Sequence, residues 1–263
     1  MSVLEEIIAA KRAHVAASKA KRSLAALEAL AAERTALDFS GALETAIQNH
    51  GYGLICEVKK ASPSKGVIQP NFTPERHASQ YMSGGAACIS VLTDTPYFQG
   101  SDSDLMAVRT AVDIPLLRKD FMIDPYQVTE AKAIGADCVL IILAAVSRSQ
   151  ALELEAAALD QGLQVLAEIH ALEELEDALA LKTPLIGVNN RNLKTLDVDP
   201  QTTQTVAQSI PGDRHVVAES GLTGHQDLGA LKRIGIERFL IGEALMREDN
   251  QETAVKRFLG QAA

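Results

Sequence analysis

Apolar residues change their spacing once along this chain, near position 50. Before it the sequence is rich in Ala, Leu, Glu and Lys, and apolar side chains recur at helical intervals through Val3, Ile7 and Ile8, then through Leu24, Leu27 and Leu30. This predicts helices placed ahead of the main fold, an N-terminal extension over 1–50. From Gly53 the texture becomes short β-rich runs, each followed by a helical stretch. The runs are GLICEVK from Gly53, CISVLT from Cys88, IPLLRK from Ile114, CVLIIL from Cys138, QVLAE from Gln164, LIGVN from Leu185, HVVAE from His215 and RFLIG from Arg238. Strands that alternate with helices signal a parallel sheet with crossover helices. The run ends recur roughly every 20 to 36 residues, the length of one βα unit with a variable loop.

Eight such units close a sheet on itself and remove its edge strands. The predicted fold class is therefore α/β, a single (β/α)8 barrel over 51–263. An open doubly wound sheet is the alternative, but its GxGxxG turn should follow the first strand, where the chain carries KKASPSKG. No Gly/Ser linker or low-complexity tract interrupts the units, so no internal boundary is placed. The 263 residues match the roughly 250 typical of one such barrel. None remain for a second barrel, and a covalent fusion is not expected.

Composition narrows the setting. A hydrophobic fraction of 47% supports a sizeable core, while the longest apolar runs reach only about half of the roughly 20 residues a membrane helix needs. No transmembrane span is expected. The N-terminus MSVLEEIIAAKRAHVAASKAKR lacks the basic segment and apolar stretch of a secretion signal, so a cytoplasmic protein is expected. Net charge is −9 with basic residues interspersed among acids, which leaves no broad positive face for nucleic acid. Cys56, Cys88 and Cys138 are far apart, odd in number and set in apolar stretches. They fit neither zinc spacing nor a disulfide framework and read as reduced packing residues.

A barrel of this kind assembles its active site at the C-terminal ends of the strands, and here those ends are polar. The first run ends in Glu57 and Lys59, the third in Lys119 and Asp120, the fifth in Glu168, the sixth in Asn189 with Arg191 just beyond, the seventh in Glu219 and Ser220. Any one of these reads equally as a solvated strand end; the joint pattern does not. The two-residue period puts Ile55, Glu57 and Lys59 on the inward face of the first strand and Cys56 and Val58 on the outward face. Inward charges cost desolvation that packing alone would avoid. Lys59, Lys119 and Glu168 would then face one another as an acid and base set. Crowding of the two ammonium groups and burial are expected to lower the lysine pKa values, and burial to raise that of the glutamate.

AESGL at Ala218–Leu222 and LIGEAL at Leu240–Leu245 put small residues after the last two strands, where backbone N–H groups can cradle a phosphate. Ser64 and Lys65 belong to a loop that could close over a ligand. Phe98 and Phe121 follow the second and third runs and suit an aromatic ring in the substrate. The histidines show no metal spacing, and His170 reads as a loop residue. No metal and no cofactor are invoked.

Taken in order, CEVKKASPSKG, SVLTDTPYFQGS, LLRKDF, GVNNRNL, AESGL and FLIGEALM resemble the strand-end signatures of the indole-3-glycerol phosphate synthase family, a TIM-barrel family of tryptophan biosynthesis. LEEIIAAKRAHVAASKAK resembles that family's N-terminal extension, so the similarity covers essentially the whole chain; Leu222 after AESG is a mild variation. The resemblance implies a carboxy-lyase that closes 1-(2-carboxyphenylamino)-1-deoxyribulose 5-phosphate to the indole with loss of carbon dioxide and water, without a cofactor. It implies Lys119 as general acid, Glu168 as general base, Lys59 as a second proton donor that also contacts phosphate, and Glu57 as its orienting partner. Asn189 and Glu219 match groups that hold the substrate's polar atoms, and Arg191 a cation near the departing carboxylate. Phe98 and Phe121 match walls around the aryl ring; Ser62, Ser220, Gly221, Gly242 and Glu243 match the phosphate site, the last two through main-chain groups. Lys59, Lys119 and Arg191 would focus positive potential in the mouth for this anionic small molecule. Rival readings are another phosphosugar barrel such as phosphoribosylanthranilate isomerase, which would want a carboxylate and a thiol near opposite strand ends, and a non-catalytic phosphate-ligand barrel. Oligomeric state stays open, with a monomer as the working expectation.

Overall fold

The computed structural model describes residues 3–193 and 195–262. Eight parallel strands form the closed barrel: β1 (Gly53–Val58), β2 (Cys88–Leu92), β3 (Leu116–Lys119), β4 (Cys138–Ile142), β5 (Gln164–Ile169), β6 (Leu185–Asn189), β7 (His215–Glu219) and β8 (Arg238–Ile241). Each pairs with its sequence neighbours, and β1 pairs with β8 to close the ring. All eight runs read from sequence are strands. The third starts at Leu116 rather than Ile114, because Pro115 has no N–H for the ladder, although its carbonyl still accepts the Ile89 N–H at 3.0 Å.

Strand alternation separates two cores. Leu54, Cys56 and Val58 face the surrounding helices, whereas Ile55, Cys88, Leu117, Cys138, Leu140, Leu166, Leu185, Val217 and Leu240 fill the interior. The three cysteines are free and buried, in line with a packing role.

Three helices precede the barrel: α1 (Val3–Lys21), α2 (Leu24–Ala32) and α3 (Phe39–His50). Phe39 and Leu43 of α3 join the interior core from the strands' N-terminal end, where Ser40 N–H donates to the Gln164 side chain at 2.8 Å. Helix α1 lies at the opposite end. Its Lys11, 3% exposed, pairs with Asp94 at 2.8 Å and Asp120 at 2.6 Å, just past β2 and β3. In α2 the sequence stripe is only partly realised: Leu27 is fully buried, but Leu24 and Leu30 are 46% and 43% exposed. Residues spaced by three drift by about 60° per step around a helix of 3.6 residues per turn, so only the middle leucine faces inward, with Ala31 beside it. Among the described residues no helix is long and apolar enough to cross a membrane.

Candidate active site

Strand register brings the inward charges to one level. Leu92 of β2 lies opposite Lys119, Ile142 and Gly187 flank Glu168, and Asn189 lies opposite Glu219. The side chains at these ends line one cavity with Lys59, Phe98, Phe121, Arg191, Ser220, Gly221, Gly242 and Glu243. Of the residues that the resemblance assigns to catalysis and binding, Ser62 lies outside it, as do Ser64 and Lys65 of the loop read as closing over a ligand. Ser62 lines an adjoining, more apolar cavity with Val3, Leu4 and Ile7 of α1; the two cavities share Lys59, Phe98, Phe121, Arg191 and Glu243.

Two glycines make room for the inward carboxylates. A Cβ on Gly187 would overlap Glu219 Oε1, and one on Gly242 would overlap Glu57 Oε1. Each glutamate thus occupies space that a side chain on the adjacent strand would fill.

The lysines do not crowd each other; each has its own carboxylate. Lys59 Nζ lies 2.5 Å from Glu57 Oε1, and Lys119 Nζ lies 3.2 Å from Glu168 Oε2 and 3.7 Å from Glu219 Oε2. This reverses the expected pKa directions of Lys119 and Glu168. Burial works against the Lys119 ammonium, but the charges of Glu168, Glu219 and Glu57 outweigh it and hold its pKa well above the usual lysine value. Burial likewise works against the Glu168 carboxylate, and Lys119 with His170 outweighs it, so Glu168 lies well below the usual range. Glu219 takes the opposite course: burial and the neighbouring Glu168 charge push it well up.

His170 is not the simple loop residue expected from its position. Its Nε2 lies 3.2 Å from Glu168 Oε1, and the ring is 7% exposed. The strand period already carried the signal, because Leu166, Glu168 and His170 continue one inward face of β5. Lys11 was missed for a different reason: its partners Asp94 and Asp120 are about 80 to 110 positions away in sequence.

At the end of β7 the chain turns through two consecutive left-handed residues, Ser220 (φ 65°) and Gly221 (φ 77°). A left-handed serine costs about 1 kcal/mol or more. Two contacts hold it: its Oγ–H donates to Asn189 Oδ1 at 2.8 Å, and Asn190 Nδ2 donates to its carbonyl at 2.9 Å. Arg191 crosses the opening, with Nη1 donating to Ser64 Oγ at 3.3 Å and to the Leu196 carbonyl at 2.8 Å. Its Nη2 approaches Glu243 Oε2 at 4.0 Å. The Glu243 carboxylate is also engaged by Arg247 at 2.9 Å. Rings of Phe98 and Phe121 sit with centroids 6.3 Å apart on one wall.

A closed parallel barrel with paired ammonium and carboxylate groups at its strand ends and glycine-bearing turns after β7 and β8 defines a (β/α)8-barrel enzyme site. Comparison with known proteins makes the assignment specific. The family model described as indole-3-glycerol phosphate synthase matches residues 4–258, and the chain belongs to that family. A relative from Azospirillum brasilense named indole-3-glycerol phosphate synthase is 54% identical over 258 residues, covering 98% of each chain. One of the same name from Rhizorhabdus wittichii is 49% identical over 257 residues, 97% of each. Among solved structures, a 3-hexulose-6-phosphate synthase matches with a TM-score of 0.63 at 15% identity, over 80% of this chain and 100% of that one. That likeness is one of fold.

Proposed function

We propose that this chain is an indole-3-glycerol phosphate synthase, closing 1-(2-carboxyphenylamino)-1-deoxyribulose 5-phosphate to indole-3-glycerol phosphate with release of carbon dioxide and water. The observation that carries this reading beyond family membership is the Lys119–Glu168 pair, 3.2 Å apart at the centre of the strand ends. Ring closure needs a proton delivered to the ketose oxygen as the aryl carbon attacks the carbonyl carbon, and Lys119, cationic at neutral pH, supplies that proton. Loss of the carboxylate then restores the aryl ring. Dehydration follows, and a base removes the remaining proton to complete the indole.

Glu168 is that base. Beside an ammonium ion a carboxylate is weakly basic, but once Lys119 has given its proton away the largest attraction that depresses Glu168 is removed, and that of His170 remains. Its basicity rises at the stage that requires it. Lys59, oriented by Glu57 at 2.5 Å, is the second proton donor and reaches the phosphate end. Ser220, Gly221, Gly242 and Glu243 offer main-chain groups to the phosphate, and Ser62, whose Oγ has no partner among the described residues, adds a donor from the adjoining cavity. Phe98 and Phe121 wall the aryl ring, with Arg191 near the departing carboxylate. The three cysteines are buried in the cores and supply no thiol to this cavity, which leaves the isomerase alternative without the thiol it would want.

The test is to mix purified protein with the carboxyphenylamino-deoxyribulose phosphate, without metal or cofactor, and follow indole fluorescence beside Lys119→Ala. The wild type should generate signal, and the variant should lose about 10²- to 10⁴-fold in rate. No signal from folded wild-type protein would exclude the synthase reading.

A further inference from the structure

Glu168 is gripped at both oxygens. Oε2 lies 3.2 Å from Lys119 Nζ, and Oε1 lies 3.2 Å from His170 Nε2. The other ring nitrogen, Nδ1, is 3.6 Å from Glu174 Oε2, and that oxygen also accepts the His170 backbone N–H at 2.8 Å. The three side chains form a line from the floor of the mouth, where Glu168 is 2% exposed, to Glu174 at the edge, 24% exposed. A carboxylate fixed at one oxygen keeps a soft terminal torsion. A cation packed against the other oxygen restricts that freedom.

We propose that His170 is a positioning residue for the reaction: held by Glu174, its ring fixes the plane of the Glu168 carboxylate so that Oε2 stays turned into the mouth beside Lys119. This inference rests on Glu168 being the base. The charged groups around the ring are Glu168 and Glu174 on its own segment and, beyond the Glu168 carboxylate, Lys119 from β3 and Glu219 from β7. Burial would lower the imidazole pKa, but the two carboxylates outweigh it and raise it to about 9. At neutral pH the ring therefore carries both protons and is a cation placed between two carboxylates, an ion pair held by proximity rather than by hydrogen-bond geometry at either ring nitrogen. Above about pH 9 one of the two contacts is lost.

Full-length wild type, His170→Ala, His170→Gln and Glu168→Gln are compared by kcat and KM across pH, with folding monitored by circular dichroism. His170→Ala should lower kcat about 10- to 100-fold, as expected when a reacting group is misplaced. Its KM should move less than about threefold. His170→Gln, whose amide N–H reaches toward Oε1, should recover most of the loss and lack the wild type's alkaline fall. Unchanged kcat in His170→Ala, or a loss accounted for by its unfolded fraction, overturns the proposal. If Glu168→Gln is inactive while His170→Ala is fully active, the positioning role alone fails; an active Glu168→Gln removes the base and the positioning role together. A readout independent of turnover is the His170 imidazole titration by NMR. It should lie near 9 in the wild type and fall toward the ordinary histidine value in Glu168→Gln, and an unmoved titration refutes the contact.

Discussion

Glu168 and Glu219 are chemically identical, lie on β5 and β7, and are 1% exposed each. Their pKa values are nonetheless pushed in opposite directions, down for Glu168 and up for Glu219, because Lys119 sits closer to the first, at 3.2 Å against 3.7 Å, and His170 adds a second cation there. Gln imitates the neutral acid and not the carboxylate. Glu168→Gln should therefore cost about 10²- to 10⁴-fold in kcat, while Glu219→Gln, which keeps a neutral hydrogen-bonding group, should cost less than about tenfold. Steady-state kinetics on both decides, and equal losses would contradict the assignment. Stability gives a second check with a definite sign. The raised Glu219 pKa means that its contribution to folding is complete below the unfolded value of about 4.3 and is lost as pH rises through the folded one. Glu219→Gln should accordingly gain stability relative to wild type as the buffer becomes alkaline.

At the scale of elements, α1 is fastened to the barrel by one buried cation. Lys11 Nζ is bound by Asp94 and Asp120, and Asp120 also accepts from Thr93 Oγ1 at 2.6 Å and lies 3.6 Å from Arg118 Nη2. Since Arg118 and Asp120 flank Lys119, the anchor of α1 also braces the segment that presents Lys119 to the mouth. Lys11→Met leaves two buried carboxylates short of their counterion and should destabilise the protein by about 3–5 kcal/mol in denaturant titration. A loss below about 1 kcal/mol would place Lys11 with exposed pairs. Burial opposes the Lys11 charge, but both aspartates raise its pKa, so this contribution is intact below about pH 10 and lost only in stronger alkali. On the acid side, Asp120 lies below its ordinary value. Its contribution is present above about pH 4 and fades as pH falls through the folded value.

For the molecule as a whole, closure of eight strands turns separate charges into a working set with a characteristic pH dependence. Lys119 stays protonated and Glu168 ionised across neutrality. The profile of kcat/KM should thus show no limb from either between about pH 7 and 8.5, above the substrate's phosphate ionisation near 6. An inflection within that interval that is lost in Lys119→Ala would show that the Lys119–Glu168 pair is weaker than its geometry indicates.

Much of this was written locally. Alternation of apolar residues sets strand positions and their two faces, so the eight strands, the inward direction of Glu57 and Lys59 and the polar strand ends follow from the sequence alone. The period also contained His170, hidden only because β5 was read as ending at Glu168. What the tertiary structure decided is who meets whom. Sequence spacing cannot give the partner of a side chain two or four strands away around a ring; closure and register do. That is why Lys119 pairs with Glu168, why Gly187 and Gly242 act as spaces for glutamates, and why Lys11, in the middle of the first helix, finds its aspartates just past β2 and β3. Charge states in the mouth depend on those distances, and so were beyond any reading of the residues in order.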